Sequence, residues 1–243
     1  LTEEKYGPIK VKYAIGVTNE RAKKLALNSN YGDVLRGVAQ LDWEQELIPV
    51  RVPILKGLNG LRVFLINKSE QEKFTKLTSI EQLKKLNGGL GHSWVITKAM
   101  KKQGFNIITT PKYKSLFTML AKKRFDYFSR GLHQVIYEYN AHREQNPELH
   151  IEETVLLYLP LPVFFYINPK KPKLAQRITE GLQLMIKNGS FDQLFSKHFS
   201  DTFNYLNIHQ RKLFALENDV LSKETQAAVL AFSLFDFKSV IAQ

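Results

Sequence analysis

The stretch SIEQLKKLNGGLGHSWVITKAMKKQGFNIITTPKYKSLFTMLAKKRFDYFSRG, Ser79 to Gly131, switches repeatedly between two hydrophobic periods. Thr78 and Glu81 form a capping-box pair ahead of a helix that carries Ile80, Leu83 and Leu86 on one face. The glycine loop NGGLGHSW follows, then a second helix through Met100 that stops near Gly104. FNIITT reads as a strand, YKSLFTMLAKKR as a helix and FDYFS as a strand. Val63 to Ile66 supplies a buried strand upstream. The sum is β-α-β-α-β with short connections, which predicts a parallel sheet covered by helices.

Outward from this centre, KVKYAIG (Lys10 to Gly16) alternates like a half-buried strand, NERAKKLAL is helical, and VLRGVA is a short strand. PVRVPILKGLNGLRVFLINK reads as two extended segments hinged on Gly57 and Gly60. A helix covers His133 to Tyr139, and PELHIEET leads into strands VLLYL and VFFYIN. Leu174, Ile178, Leu182 and Met185 share a helix face, Asn188 and Gly189 stop that helix, and Ser190 with Gln193 caps the next one, FDQLFSKHF. The stripes Phe117, Met119, Leu120 and Phe191, Leu194, Phe195 are expected in the core.

A chain of 243 residues suits one large domain or two lobes of about 100 residues each. Its longest apolar run, around Val155 to Ile167, is broken by Pro160 and Pro162, so it is short of the roughly 20 residues of a membrane span. The chain opens at Leu1 without a methionine or a basic-plus-apolar leader, and a processed or trimmed N-terminus is expected. Zero cysteines remove disulfides, thiolate nucleophiles and sulfur metal sites together. The net charge is +12, yet Lys84, Lys85, Lys101, Lys102, Lys122 and Lys123 lie at helical surface spacing, and only KKPK at Lys170 to Lys173 clusters tightly. That pattern reads as a solvated basic face. The aromatics sit in apolar runs rather than between basic residues, so no nucleic-acid partner is expected.

The chain contains no HExxH and no GxxxxGK[ST], and its six histidines (92, 133, 142, 150, 198, 209) lack metal-ligand spacing. GLG at Gly89 to Gly91 lacks the rest of a dinucleotide fingerprint. No metal, cofactor or catalytic residue is expected, and the chain reads as a non-enzyme. Gly91-His92-Ser93-Trp94-Val95 begins like a serine-hydrolase elbow, but Val95 stands where the second glycine belongs and KKLNGGL is polar for the buried strand that feeds it. A serine hydrolase using Ser93 is therefore a remote alternative. The same residues make a glycine loop opening a helix, where backbone N–H groups attract an anion beside the Ser93 hydroxyl and the His92 imidazole. The competing reading has Ser93 only capping its helix.

Four pieces in order, PVRVPILKGLNGLRVFLINK, SIEQLKKLNGGLGHSWVITKAMKKQG, YKSLFTMLAKKRFDYFSRG and LPVFFYINPKKPKLAQRITEGLQLMIKNGSFDQLF, resemble type II periplasmic solute-binding proteins of the family-3, amino-acid-binding-like group. The resemblance implies a two-lobed α/β fold, mixed sheets flanked by helices, with a ligand cleft between lobes that closes on a small solute. Lobe 1 would take residues 1–67 and 164–243, and lobe 2 residues 68–163. It further implies a periplasmic or extracytoplasmic monomer that serves the membrane permease of an ABC-type transporter, or else a ligand-sensing domain that signals to a membrane receptor. Family members place a strand, a ligand-contacting loop and a long helix before the strand that KVKYAIG resembles, so either a first segment is missing from the chain or lobe 1 is incomplete.

Amino-acid binders of the group grip the ligand carboxylate with an arginine in a T-x-x-R pattern, where this chain reads QLDWEQEL. Their acid for the ligand amino group falls five positions after an aspartate like Asp126, which here is Gly131. With both anchors absent, an anionic or polar acidic solute is expected in place of an ordinary α-amino acid. The expected ligand-binding set is Arg130 and Arg36 near strand ends, His92, Ser93 and Trp94 at a helix start, and Arg62 and Lys56 beside the glycines of PILKGLNGLR. Competing readings give Arg130 a salt bridge to Glu138, leave Arg62 and Lys56 on the surface, and put Trp94 in the core.

Overall fold

The computed structural model describes residues 2–12, 19–28 and 32–232. Among them ten strands follow in chain order: β1 (Val34–Val38), β2 (Ile48–Val50), β3 (Leu61–Asn67), β4 (Asn87–Gly91), β5 (Asn106–Thr110), β6 (Tyr127–Gly131), β7 (Leu149–Ile151), β8 (Val155–Tyr158), β9 (Val163–Ile167) and β10 (Lys212–Ala215). The chain divides into two units. The first takes the described residues of Leu1–Gly57, Pro162–His198 and Asp219–Asp236, and the second takes Leu58–Leu161 and Phe199–Asn218.

The first unit is built on an antiparallel sheet of order β1-β9-β2, with Arg36 opposite Phe165. Trp43 is fully buried against it, edge-on to Tyr166 at 5.3 Å. Gly37 makes the room, since a Cβ there would stand 2.3 Å from the Trp43 ring. The Pro172–Lys187 helix packs on this sheet through Ala175 together with Leu174, Ile178 and Leu182, three of the four residues of the expected face, with Met185 outside this cluster. Ser190 turns its hydroxyl back to the Met185 carbonyl at 3.5 Å in place of the expected pairing with Gln193. Leu194 is exposed, so the expected core stripe of that helix reduces to Phe191 and Phe195. Residues 13–16 of the expected strand KVKYAIG lie outside the described residues, and residues 10–12 have no regular structure.

The second unit carries a seven-stranded mixed sheet of order β10-β8-β3-β6-β4-β5, with β7 also on β3. β4 runs parallel to both β5 and β6, and β3 runs antiparallel to β6, β7 and β8. The segment 61–67, expected to end lobe 1, is thus an inner strand of this sheet, buried along its whole length. Residues 199–218, also expected in lobe 1, add β10 beside β8. The helix after residue 79 is capped by Ser79 Oγ, which accepts the Gln82 N–H at 3.4 Å, while Gln82 Oε1 accepts the Thr78 N–H at 2.7 Å. The capping pair therefore sits one residue later than Thr78 and Glu81.

NGGLG was expected to be a loop, and it is the buried strand β4. Its glycines are required by what lies over them: a Cβ at Gly88 would meet Tyr127 at 2.7 Å, at Gly89 Phe125 at 2.2 Å, and at Gly91 Trp94 at 2.3 Å. Glycine weakens strand propensity, but here it permits aromatic rings to lie directly on the backbone. No helix among the described residues is long and apolar enough to cross a membrane.

Gly89→Ala should lower stability by about 1–3 kcal/mol, because Phe125 must leave its site. Urea unfolding checks this, with Gly32→Ala as control since that position opens onto free space. An unchanged midpoint for Gly89→Ala would refute the ring-on-backbone account.

Candidate functional site

Because β4, β5 and β6 are parallel, they end along one edge of the sheet, and each feeds a helix: Val95–Lys102, Tyr113–Ala121 and Leu132–His142 respectively. That carboxyl edge is where open α/β sheets bind ligands. All three helices start without a side-chain cap, and none has an acid in its first turn. Their leading N–H groups and dipoles favour negative charge there.

Arg130 lies inside β6 rather than beyond its end, and is 5% exposed. Its Nε and Nη2 both donate to the Glu138 carboxylate, a two-pronged pair that realises the salt-bridge reading. The guanidinium lies 4.8 Å from the ring centres of Trp94 and Phe128 and 5.9 Å from Tyr113. Trp94 is half-buried and stacks on Phe128 at 6.0 Å, so it joins the core with one face and covers Arg130 as well.

Arg62 is buried, contrary to a surface role, because β3 is an inner strand. Its Nε donates to Ser129 Oγ at 3.3 Å, Nη2 to the Ser129 carbonyl at 2.9 Å, and Nη1 to the Asn59 carbonyl at 3.2 Å. These acceptors are neutral. Burial, then the charge of Arg130, push the Arg62 guanidinium down to about 9 against the opposing pull of Glu138. Glu138 thus pairs with Arg130 alone, and the buried Arg62 guanidinium has no carboxylate in hydrogen-bond contact. Gly131 sits beside them: a Cβ would stand 2.9 Å from His133 Cε1 and 3.1 Å from Arg62 Nη1. His133, and after it Arg62, crowd the space that a side chain at position 131 would need.

His92 and Ser93 are exposed on the turn after β4. The His92 N–H donates to the Thr110 carbonyl at 3.2 Å, and its ring Nδ1 lies 3.4 Å from Thr109 Oγ1. Ser93 does not cap the helix, whose N-cap residue is Trp94, and Thr97 Oγ1 instead donates to the Gly91 carbonyl at 2.7 Å. Among the described residues no hydrogen bond links Ser93 to a histidine or a carboxylate. Arg36 and Lys56 belong to the first unit. Arg36 is exposed on β1, whereas Lys56 is ion-paired with Asp192 and lies 5.7 Å over Phe195.

The sequence reading omitted Tyr113 and His142 from this neighbourhood. The His142 ring stacks on Phe117 at 3.7 Å, and Tyr113 stands edge-on to Phe117 at 5.2 Å. Their signal was available in the helical spacing of Tyr113 and Phe117 and of Glu138 and His142. Burial holds His142 below its ordinary 6.5, with Glu138 opposing and Lys114 assisting.

No family model matches the chain, and no curated protein matches it. Solved structures do. An ancestral arginine-binding protein bound to arginine aligns over 81% of this chain and 83% of its own at 16% identity and a TM-score of 0.57. A binding component of an ABC transporter from Wolinella succinogenes, complexed with lysine, aligns over 76% and 77% at 16% identity with a TM-score of 0.57. A histidine kinase sensor domain with similarity to periplasmic binding proteins aligns over 74% and 75% at 14% identity with a TM-score of 0.52. The fold is that of the two-lobed periplasmic binding proteins, as the resemblance implied.

Glu138→Gln leaves Arg130 buried without a counter-charge and should cost about 3–5 kcal/mol in urea unfolding. A loss below about 1 kcal/mol would mean that Arg130 reaches water. The lowered His142 sets a second expectation: the unfolded chain takes up a proton near 6.5 while the native one does not. Stability should fall as pH drops through that value, and His142→Phe should remove this part of the slope. An identical slope in the variant would contradict it.

Proposed function

We propose that the protein is an extracytoplasmic solute-binding protein that captures a small anionic or polar acidic solute at the carboxyl edge of β4, β5 and β6 and delivers it to an ABC-type transporter. The observation that carries this reading is the buried Arg62 guanidinium, held only by neutral acceptors while Glu138 is taken up by Arg130, next to three helix starts free of acids. Excess buried charge is costly in the empty site. An arriving carboxylate or phosphate would offset that cost through charge-assisted hydrogen bonds.

Two of the solved neighbours hold arginine or lysine, ligands with ammonium or guanidinium groups. In this chain the Arg62 guanidinium lies against Gly131 and would repel such groups. Dicarboxylates and phosphorylated compounds suit the charge better. In this reading Arg62 supplies the attracting charge, Arg130 holds the edge rigid through Glu138, Trp94 forms an apolar wall, and exposed His92 and Ser93 donate to the incoming solute. The solute is held and released unchanged, by a monomer with no nucleic-acid partner.

A ligand-sensing domain of a membrane signalling protein is the second reading, favoured by the likeness to the histidine kinase sensor domain. It uses the same site and differs in its partner, a receptor or kinase in place of a permease.

A thermal-shift screen over dicarboxylates, phosphorylated compounds, α-amino acids and polyamines tests the proposal, since a ligand held only by the folded state raises the midpoint. At least one anion should give a clear shift, with lysine and arginine giving none. Arg62→Met should leave the empty protein at least as stable, by about 0–2 kcal/mol, because a buried cation is removed. It should also weaken the best anion more than tenfold, about 1.4 kcal/mol. A shift from lysine or arginine alone, or unchanged anion affinity in Arg62→Met, would overturn the reading.

A further inference from the structure

The net charge of +12 is concentrated in one segment: residues 82–125 contain ten lysines and arginines and no aspartate or glutamate. Lys84 and Lys123 are neutralised from outside it, by Glu81 at 2.9 Å and Glu70 at 2.8 Å. Lys114, Lys122 and Arg124 have no ion pair among the described residues, and they line a groove of about 490 Å³. Thr110, Ser115 and Thr118 add hydroxyls to the same groove, and Met119 adds an apolar patch.

Local structure puts these cations in a line. Lys114, Thr118 and Lys122 recur every four residues, so they share one face of the Tyr113–Ala121 helix and its last turn. The turn is closed by the Lys123 N–H on the Leu120 carbonyl and the Arg124 N–H on the Met119 carbonyl, both at 2.9 Å, with Lys123 in the left-handed region at φ 53°. That closure fixes Arg124 just past the helix end, while the Lys123 ammonium reaches to Glu70 instead of the groove. Lys114 and Lys122 are eight residues apart, about 12 Å along the axis. Thr110, the last residue of β5, opens onto the same groove, and β5 pairs among the described residues only with β4 and so ends the sheet. Its sequence NIITT is β-branched, with Ile108 37% exposed.

We propose that this groove binds an extended acidic peptide segment of a partner protein, laid along the β5 edge. Carboxylates four residues apart on an extended chain are separated by about 13 Å, which matches the Lys114–Lys122 spacing. The strand edge supplies backbone N–H and C=O groups for pairing, and the lysines supply specificity for acid. A single-stranded nucleic acid is disfavoured because no aromatic side chain lines the groove for stacking. A concave groove does not fit a flat bilayer surface. A single small anion would span only one end of the row. The inference uses other side chains than the solute site: Arg62, Arg130, Trp94, His92 and Ser93 do not line this groove, although Thr110 and Lys114 bring one end of it to the end of β5 and the first turn of the following helix.

The test uses the full chain and a fluorescent peptide alternating valine and glutamate, with its valine-glutamine counterpart as control, read by anisotropy. The glutamate peptide should bind, weaken steeply with added salt, and protect the amides of Asn106–Thr110 from hydrogen exchange. The glutamine peptide should bind at least tenfold more weakly. Lys114→Gln with Lys122→Gln should weaken the glutamate peptide about tenfold or more, whereas Lys98→Gln with Lys101→Gln, an equal loss of charge elsewhere, should not. Circular dichroism establishes that both variants are folded. Equal loss in the two double variants, equal binding of the two peptides, or equally strong displacement by oligothymidylate, anionic vesicles or free glutamate would overturn the proposal.

Discussion

Close approach of aromatic rings to the bare backbone of β4 is the constraint on which the second unit depends. Phe125, Tyr127 and Trp94 each occupy space that a side chain on NGGLG would claim. Removing side chains from one strand lets its neighbours supply the core above and below it. Those rings in turn hold β4 between β5 and β6, so the three parallel strands end along one edge. Trp94, set over Gly91, also covers the Arg130 guanidinium at 4.8 Å. Packing and the candidate site therefore share a residue, and disturbing one disturbs the other. The first unit uses the same device once, with Gly37 beneath Trp43.

Charge at the edge follows from where the arginines are anchored. Arg130 is tied to Glu138 on the following helix, which makes it a structural brace as well as a charge. Arg62, on the inner strand β3, has only neutral acceptors, and with His133 it crowds the position of Gly131, where this chain carries no acid. The imbalance is the opposite of what a site for ammonium groups requires. This imbalance is the physical ground for the anionic solute proposed above.

Period and capping made most elements legible in the sequence: the helices after β4, β5 and β6, strands β8 and β9, and the Pro172–Lys187 helix all follow from apolar spacing. The β-α-β order led to a parallel sheet, which holds for β4, β5 and β6, whereas β3, counted with them, runs antiparallel to β6; the two-lobed fold came from the family resemblance. NGGLG was not legible, because strand propensity counts side chains and this strand has almost none; the three rings that require its glycines lie elsewhere in the sequence or across a turn. Arg62 was misjudged for a related reason. Its flanking glycines suggested a surface hinge, whereas pairing with β6 and β8, a long-range property, buries it. Arg130 was read as emerging from its strand, and the pairing of Val63 with Arg130 keeps it inside. The Glu138 partner was foreseeable, since it lies one helical stretch downstream.

The most direct test of the site is to observe its two arginines while an anion binds. Nitrogen-15 NMR of the arginine Nε groups, during titration with the anion that gives the largest thermal shift, reads Arg62 and Arg130 separately. The account predicts a large saturating change at Arg62, with slowed exchange of its Nε–H, and a smaller change at Arg130, which keeps Glu138. Saturation without any response at Arg62 would contradict the assignment of the carboxyl edge of β4, β5 and β6 as the solute site.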